Sequence, residues 1–162
     1  MNLTDLAIAP TLDLVLTRVV PVPVARVWRA WTVPTHLMKW FCPLPWRTTE
    51  CAIDLRPGGA FYTKMEGPNG EVQAGTGCYL DVEPERRLIW TDFMGPGFRP
   101  KGDGFMVGIV LLEPVDGGTR YTAIARHASA EAHTQHEAMG FAEGWSAALD
   151  QLVQHADTMD QP

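Results

Sequence analysis

The sequence is short of basic charge: thirteen Lys and Arg stand against nineteen Asp and Glu, giving a formal net charge of -6 and a pI near 5.3. Nucleic-acid binders carry a basic patch or stripe, and the few cations here are scattered along the chain, so that class is excluded. Cysteine is scarce too. Cys42, Cys51 and Cys78 are an odd number without CxxC spacing, which indicates neither a disulfide framework nor a zinc site. No apolar run approaches the length of a membrane span, and Met1-Asn2-Leu3-Thr4-Asp5 lacks the basic start of a signal peptide. The expectation is a cytoplasmic protein. GxSxG, P-loop and dinucleotide fingerprints are absent, so nucleotide-dependent chemistry has no support. Internal repeats and low-complexity tracts are missing as well.

What is present reads as one folded unit. Hydrophobic residues make up 46% of the 162 positions and charged residues 20%, an ordinary balance for a globular chain. The expected domain covers residues 11–156, between a leader at 1–10 and a frayed tail at 157–162. Leu12, Leu14 and Leu16 alternate with Asp13 and Thr17, so residues 11–20 are predicted as a strand with one face on a core. Pro21 and Pro23 end it. Val24, Val27, Trp28 and Trp31 then recur at helical steps over 24–32, and Pro34 opens a second short helix over 35–40.

From Trp46 to His127 the pattern turns to alternation broken by Pro, Gly and Asn. Strands are predicted at 48–55, 60–66, 72–83, 87–93, 105–113 and 118–127. Asn69-Gly70 is the clearest hairpin turn. The short connections at Glu83-Pro84-Glu85 and Asp116-Gly117-Gly118 make their flanking strands antiparallel neighbours.

Residues 130–156 contain no proline, and Ser129 is placed to cap them. Ala138, Ala142, Trp145, Leu149, Leu152 and Ala156 form an apolar stripe opposite Glu137, Glu143, Asp150 and Gln154, which predicts one long amphipathic helix. The order is α+β: a curved antiparallel sheet whose apolar face is covered by that helix, with two short helices after the first strand. Gly140 and Gly144 either leave a space between helix and sheet or allow close helix packing.

Five strings resemble the START-like (SRPBCC) superfamily, and within it the homologues of the activator of the heat-shock-protein-90 ATPase. They are Val27-Trp28-Arg29-Ala30-Trp31-Thr32, Lys39-Trp40, Asp54-Leu55-Arg56-Pro57-Gly58-Gly59, Met65-Glu66-Gly67-Pro68-Asn69-Gly70 and Gly140-Phe141-Ala142-Glu143-Gly144-Trp145. The resemblance runs from about Leu12 to Leu152. It implies a helix-grip fold with a central cavity, on which relatives as different as lipid carriers, hormone receptors, aromatase/cyclases and co-chaperone domains are built, so fold alone names no reaction.

Six Trp, six Phe and three Tyr supply the material for an apolar pocket, and equally for a plain core. The candidate walls are Trp40, Phe41, Trp46, Phe61, Trp90, Phe93, Phe98, Met106, His127, Met139 and Phe141. The glycine-rich stretch 94–104 is either a lid tipped by Phe98 or a surface loop. His127 and His136 are the candidates for acid–base work, because histidine exchanges protons near neutrality. With His133 they match no HExxH-type zinc signature, so no metal is assigned. Asp54 and Arg56 read as an exposed ion pair fixing a turn.

The expected function is the binding of a small apolar or aromatic molecule, with no cofactor and no covalent chemistry required. Two alternatives stay open: a cyclase, dehydratase or hydrolase using a cavity histidine, and a module that docks on a chaperone. Pairing into a homodimer also stays open.

Overall fold

The computed structural model describes residues 6–159, so the first five residues of the expected leader and the last three of the expected tail lie outside the described residues. The chain runs β1 (Asp13–Val20), α1 (Val24–Thr32), α2 (Pro34–Leu37), β2 (Arg47–Ile53), β3 (Ala60–Glu66), β4 (Val72–Glu83), β5 (Arg87–Thr91), β6 (Met94–Gly95), β7 (Arg99–Pro100), β8 (Val107–Val115), β9 (Gly118–Arg126), α3 (Ala130–Ala138) and α4 (Phe141–Ala156). Seven strands form one antiparallel sheet in the order β1-β9-β8-β5-β4-β3-β2. It is a meander from β2 to β9, interrupted only by the small β6–β7 hairpin and completed by β1 at the β9 edge.

Period-two alternation sorts the side chains of the central strands. Leu88, Trp90, Val110, Leu112, Tyr121 and Ala123 face the helices, whereas Ile109, Leu111 and Ile124 form a separate cluster on the other face with Leu6 and Ile89 against it. The inner face meets α1 through Val27, Trp28, Ala30 and Trp31, and α4 through Ala148, Leu149, Leu152 and Ala156. Arg18 ties β1 to α4 by donating to the Ser146 carbonyl at 3.2 Å and pairing with Asp150 at 2.7 Å. This is the helix-grip arrangement that the resemblance implies.

Four expectations change. The single helix over 130–156 is two helices, because Gly140 takes a left-handed backbone with φ 92°, which glycine adopts without steric cost. The break resets the helical phase: Phe141 turns inward and is 4% exposed, and Ala138 and Ala142 of the expected stripe face solvent. Ser129 does cap α3, its hydroxyl accepting from the Ala132 N–H at 3.1 Å. The second short helix ends at Leu37, and residues 38–40 continue it only as turns. The strand expected over 87–93 stops at Thr91, and β8 is shifted to Val107–Val115.

The glycine-rich stretch 94–104 is folded down. Gly97 donates to the Gly58 carbonyl at 2.7 Å, and the Lys101 ammonium to the Thr76 carbonyl at 2.7 Å. At the other end of the chain, Met159 lies within the stretch expected to fray and is 5% exposed against the main core.

Candidate ligand cavity

Between the concave face of the sheet and the two helix layers lies a cavity of about 680 Å³. Small-molecule sites commonly enclose roughly 300–1,000 Å³ behind mostly apolar walls. The sheet contributes Leu16, Met65, Trp90, Tyr121 and Ala123; α1 contributes Trp31; the connection after α2 contributes Trp40, Phe41, Pro43 and Trp46; α4 contributes Phe141, Gly144, Trp145 and Ala148. Exposed Gln73, Asp92 and Met139 mark the rim.

The aromatic wall is held by edge contacts and by hydrogen bonds that satisfy its polar tips. The Trp31 ring stands 4.8 Å from Trp40 and 5.1 Å from Trp90, centroid to centroid. Its indole N–H donates to the Tyr121 hydroxyl at 3.1 Å, and that of Trp40 to the Ala30 carbonyl at 3.0 Å. Buried Trp and Tyr need such partners, and these fix ring orientation. The Tyr121 hydroxyl, fully enclosed, titrates well above its ordinary range because burial disfavours the phenolate.

Trp40, Phe41 and Cys42 sit on an irregular segment, so something must hold it. Gln151 of α4 does so, donating to the carbonyls of Trp40 at 3.1 Å and Cys42 at 2.9 Å while accepting from the Leu44 N–H at 3.0 Å. On the far side, the Asp92 carboxylate accepts from the N–H groups of Phe105 at 2.8 Å and Met106 at 3.1 Å, which fixes the entry to β8.

At the corner between α3 and α4 the histidines meet. Nε2 of His127 lies 2.9 Å from Nδ1 of His136, and Nδ1 of His127 lies 2.9 Å from the Leu12 carbonyl oxygen. His136 lines the cavity and is 7% exposed. Desolvation, then the neighbouring His127 and His133, push its pKa down to about 4, so it is uncharged at neutral pH. Among the described residues no group of three or more His, Cys, Asp or Glu is arranged to hold a metal ion.

Of the residues singled out in the sequence, Trp40, Phe41, Trp46, Trp90, Met106, His136, Met139 and Phe141 line the cavity. Phe61 lies behind that wall, stacked on Tyr79 at 5.2 Å and edge-on to Trp90 at 5.8 Å. Phe93 covers Gly104, and Phe98 covers Gly58, where an added Cβ would meet its ring at 2.8 Å. Phe98 does not line the cavity: its ring lies over the neighbouring turn and is 48% exposed. His127 stands one residue back, reaching the cavity through His136. Asp54 and Arg56 pair at 2.8 Å on the surface, the kind of contact that contributes about 0–1 kcal/mol.

Trp31, Trp145, Tyr121 and Phe105, which lie on expected helices and strands and are not among the candidate walls, also line the cavity. Their signal was the same helical or strand spacing that marks any buried face.

A second depression of about 990 Å³ adjoins the first across Trp40, Cys42 and Trp46, and is bordered by Lys39, Arg47, Glu66 and Gln154. Its charged border suits water better than an apolar guest.

An antiparallel sheet gripping a C-terminal helix around an aromatic chamber defines a START-like helix-grip protein. The chain belongs to the family described as activator of Hsp90 ATPase homolog 1-like proteins, whose model matches residues 21–157. It is similar to a protein of Nitrosomonas europaea of known crystal structure, at 44% identity and a TM-score of 0.91 over 93% of this chain and 97% of that one. A Mycobacterium smegmatis protein is 33% identical with a TM-score of 0.75, covering 93% of this chain and 94% of its own. The AHSA1-like protein from Aeromonas hydrophila, 22% identical with a TM-score of 0.70 over 90% of this chain and 92% of that one, shares the fold. No functionally curated protein matches. Among the described residues no helix is long and apolar enough to cross a membrane.

Proposed function

We propose that the protein binds a small apolar or aromatic molecule in the cavity between sheet and helices, without covalent chemistry. The observation that carries this reading is a chamber of about 680 Å³ whose walls include five of the six tryptophans. A core closed only for stability fills such space with side chains, because interiors approach the density of organic crystals and empty volume costs stability. Removing apolar ligand surface from water contributes roughly 25 cal/mol per Å², enough for useful affinity from a two-ring molecule. His136 fits this reading: with its pKa held down to about 4 it is uncharged at neutral pH and a weak base.

Native mass spectrometry of the protein purified from its own host tests the reading directly. The expected spectrum contains a stoichiometric adduct of low mass. In parallel, biphenyl titrated into the stripped protein is expected to quench tryptophan emission saturably at one equivalent. A bare mass across several preparations, together with no saturable quenching, overturns the proposal.

A further inference from the structure

The two histidines at the corner between α3 and α4 form a chain of hydrogen bonds whose direction is set by the backbone. A carbonyl oxygen only accepts, so Nδ1 of His127, 2.9 Å from the Leu12 carbonyl, carries a hydrogen. With both rings uncharged, each has one N–H and one lone pair, so Nε2 of His127 is an acceptor. Nδ1 of His136, 2.9 Å from it, must then be the donor. What remains is Nε2 of His136, bearing a lone pair. Each tautomer follows from the one before, and the last nitrogen in the series belongs to a residue that lines the cavity.

Among the described residues no protein donor reaches that nitrogen. The ring is 7% exposed and is walled by Phe105, Phe141 and Trp145 at centroid distances of 4.8, 5.3 and 6.0 Å, all three of them cavity residues. The atom is not sealed off, since the enclosed side-chain polar atoms without a partner are, among the described residues, Arg26 Nε and Tyr79 Oη; it takes its hydrogen bond from water, and a guest lacking a donor would displace that water without replacing the bond.

We propose that Nε2 of His136 is a hydrogen-bond acceptor for the ligand, so that the cavity selects compact aromatic molecules carrying a hydroxyl or N–H donor, phenols above all. The inference rests on the cavity being a ligand site. It deepens that reading by fixing one polar point on the guest: the rings of the guest match the tryptophan walls, and its O–H or N–H points at the α3–α4 corner.

The test uses 4-phenylphenol and its methyl ether, 4-methoxybiphenyl, which have the same rings and differ in the donor. Tryptophan-fluorescence titration of the wild-type protein is expected to give about tenfold tighter binding of the phenol, the worth of one buried hydrogen bond. In His136→Phe, which keeps a ring but no acceptor, the two affinities are expected to converge to within about twofold, with the ether little changed. Should that variant fail to fold, histidine-ring ¹⁵N spectra of the wild-type protein decide. They are expected to show His127 and His136 both in the Nδ1–H form, with the His136 Nε2 resonance moved by the phenol and not by the ether. Equal affinities in the wild type, or a hydrogen on Nε2 of His136, overturn the inference and leave the cavity reading standing. Binding of neither probe up to its solubility limit overturns both.

Discussion

The indole of Trp90 lies across the backbone of Gly108, its partner on the neighbouring strand, so closely that a Cβ on Gly108 would stand 2.4 Å from the ring. The missing side chain on β8 makes room for the largest one on β5. β8 is paired on both sides and cannot retreat, so in Gly108→Ala the ring must swing toward the cavity. Overpacking of this kind costs about 1–3 kcal/mol, to be read from urea unfolding alongside a shift in tryptophan emission. An unchanged midpoint and spectrum would show that the ring has another place to go.

Gln151 is expected to matter more than its partly exposed position suggests. Replacing it with Met keeps the length of the side chain and removes the three hydrogen bonds that hold the segment carrying Trp40 and Phe41. The expected loss is about 1–3 kcal/mol in urea unfolding, because two carbonyls and one N–H lose their partner. A loss under about 0.5 kcal/mol would mean that water replaces the amide fully.

Gly144 separates stability from binding. Among the described residues only the Pro43 ring, at 3.9 Å, lies near the position of an added Cβ, and Gly144 lines the cavity from within α4. Gly144→Leu removes a poor helix former, worth up to about 1 kcal/mol, and fills the chamber. The melting temperature is expected to hold or rise while biphenyl quenching disappears. A large drop in melting temperature would mean that the space is not there to be filled.

Acid should weaken the fold before the carboxylates titrate. His36, His136 and His155 all have lowered pKa values, with desolvation the largest cause in each; Arg29 adds to it for His36, His127 and His133 for His136, and His36 and Lys39 for His155. The unfolded chain takes up protons near pH 6.5, and the native chain only further down, at about 4 for His136. Between those values the unfolded state binds more protons, so stability is complete above pH 6.5 and falls as pH drops through the window. Urea midpoints at pH 7.5 and 5.5 check this, the lower pH giving the lower midpoint; a flat or rising midpoint overturns it.

Trp40, Trp90 and Phe141 were legible as cavity candidates because large aromatics beside helix ends and on inner strand faces must go inward. Trp31 and Trp145 carried the same periodic signal and were read as core, since spacing reports which face is inward but not whether that face meets side chains or empty space. The helix break at Gly140 escaped notice because Ala138, Ala142 and Trp145 still keep helical steps across it. Only the positive φ at Gly140 resets the phase and brings Phe141 inward. The meeting of His127 and His136 depends on that same corner, and no count of residues along the chain contains it. Gln151 was invisible for a simpler reason: its partners are backbone atoms, which have no sequence signature.

The place of β1 in the sheet also bears on synthesis. Among the described residues its one partner strand is β9, with Leu16 beside Ala123 and Val20 beside Thr119, roughly a hundred residues further on. At ribosomal speeds of about 5–20 residues per second, β1 waits roughly 5–20 s for its mate. During that interval the leucines and valines of Asp13–Val20 are on offer to any passing edge. While β9 is still to be made, β1 is therefore the strand most open to wrong pairing.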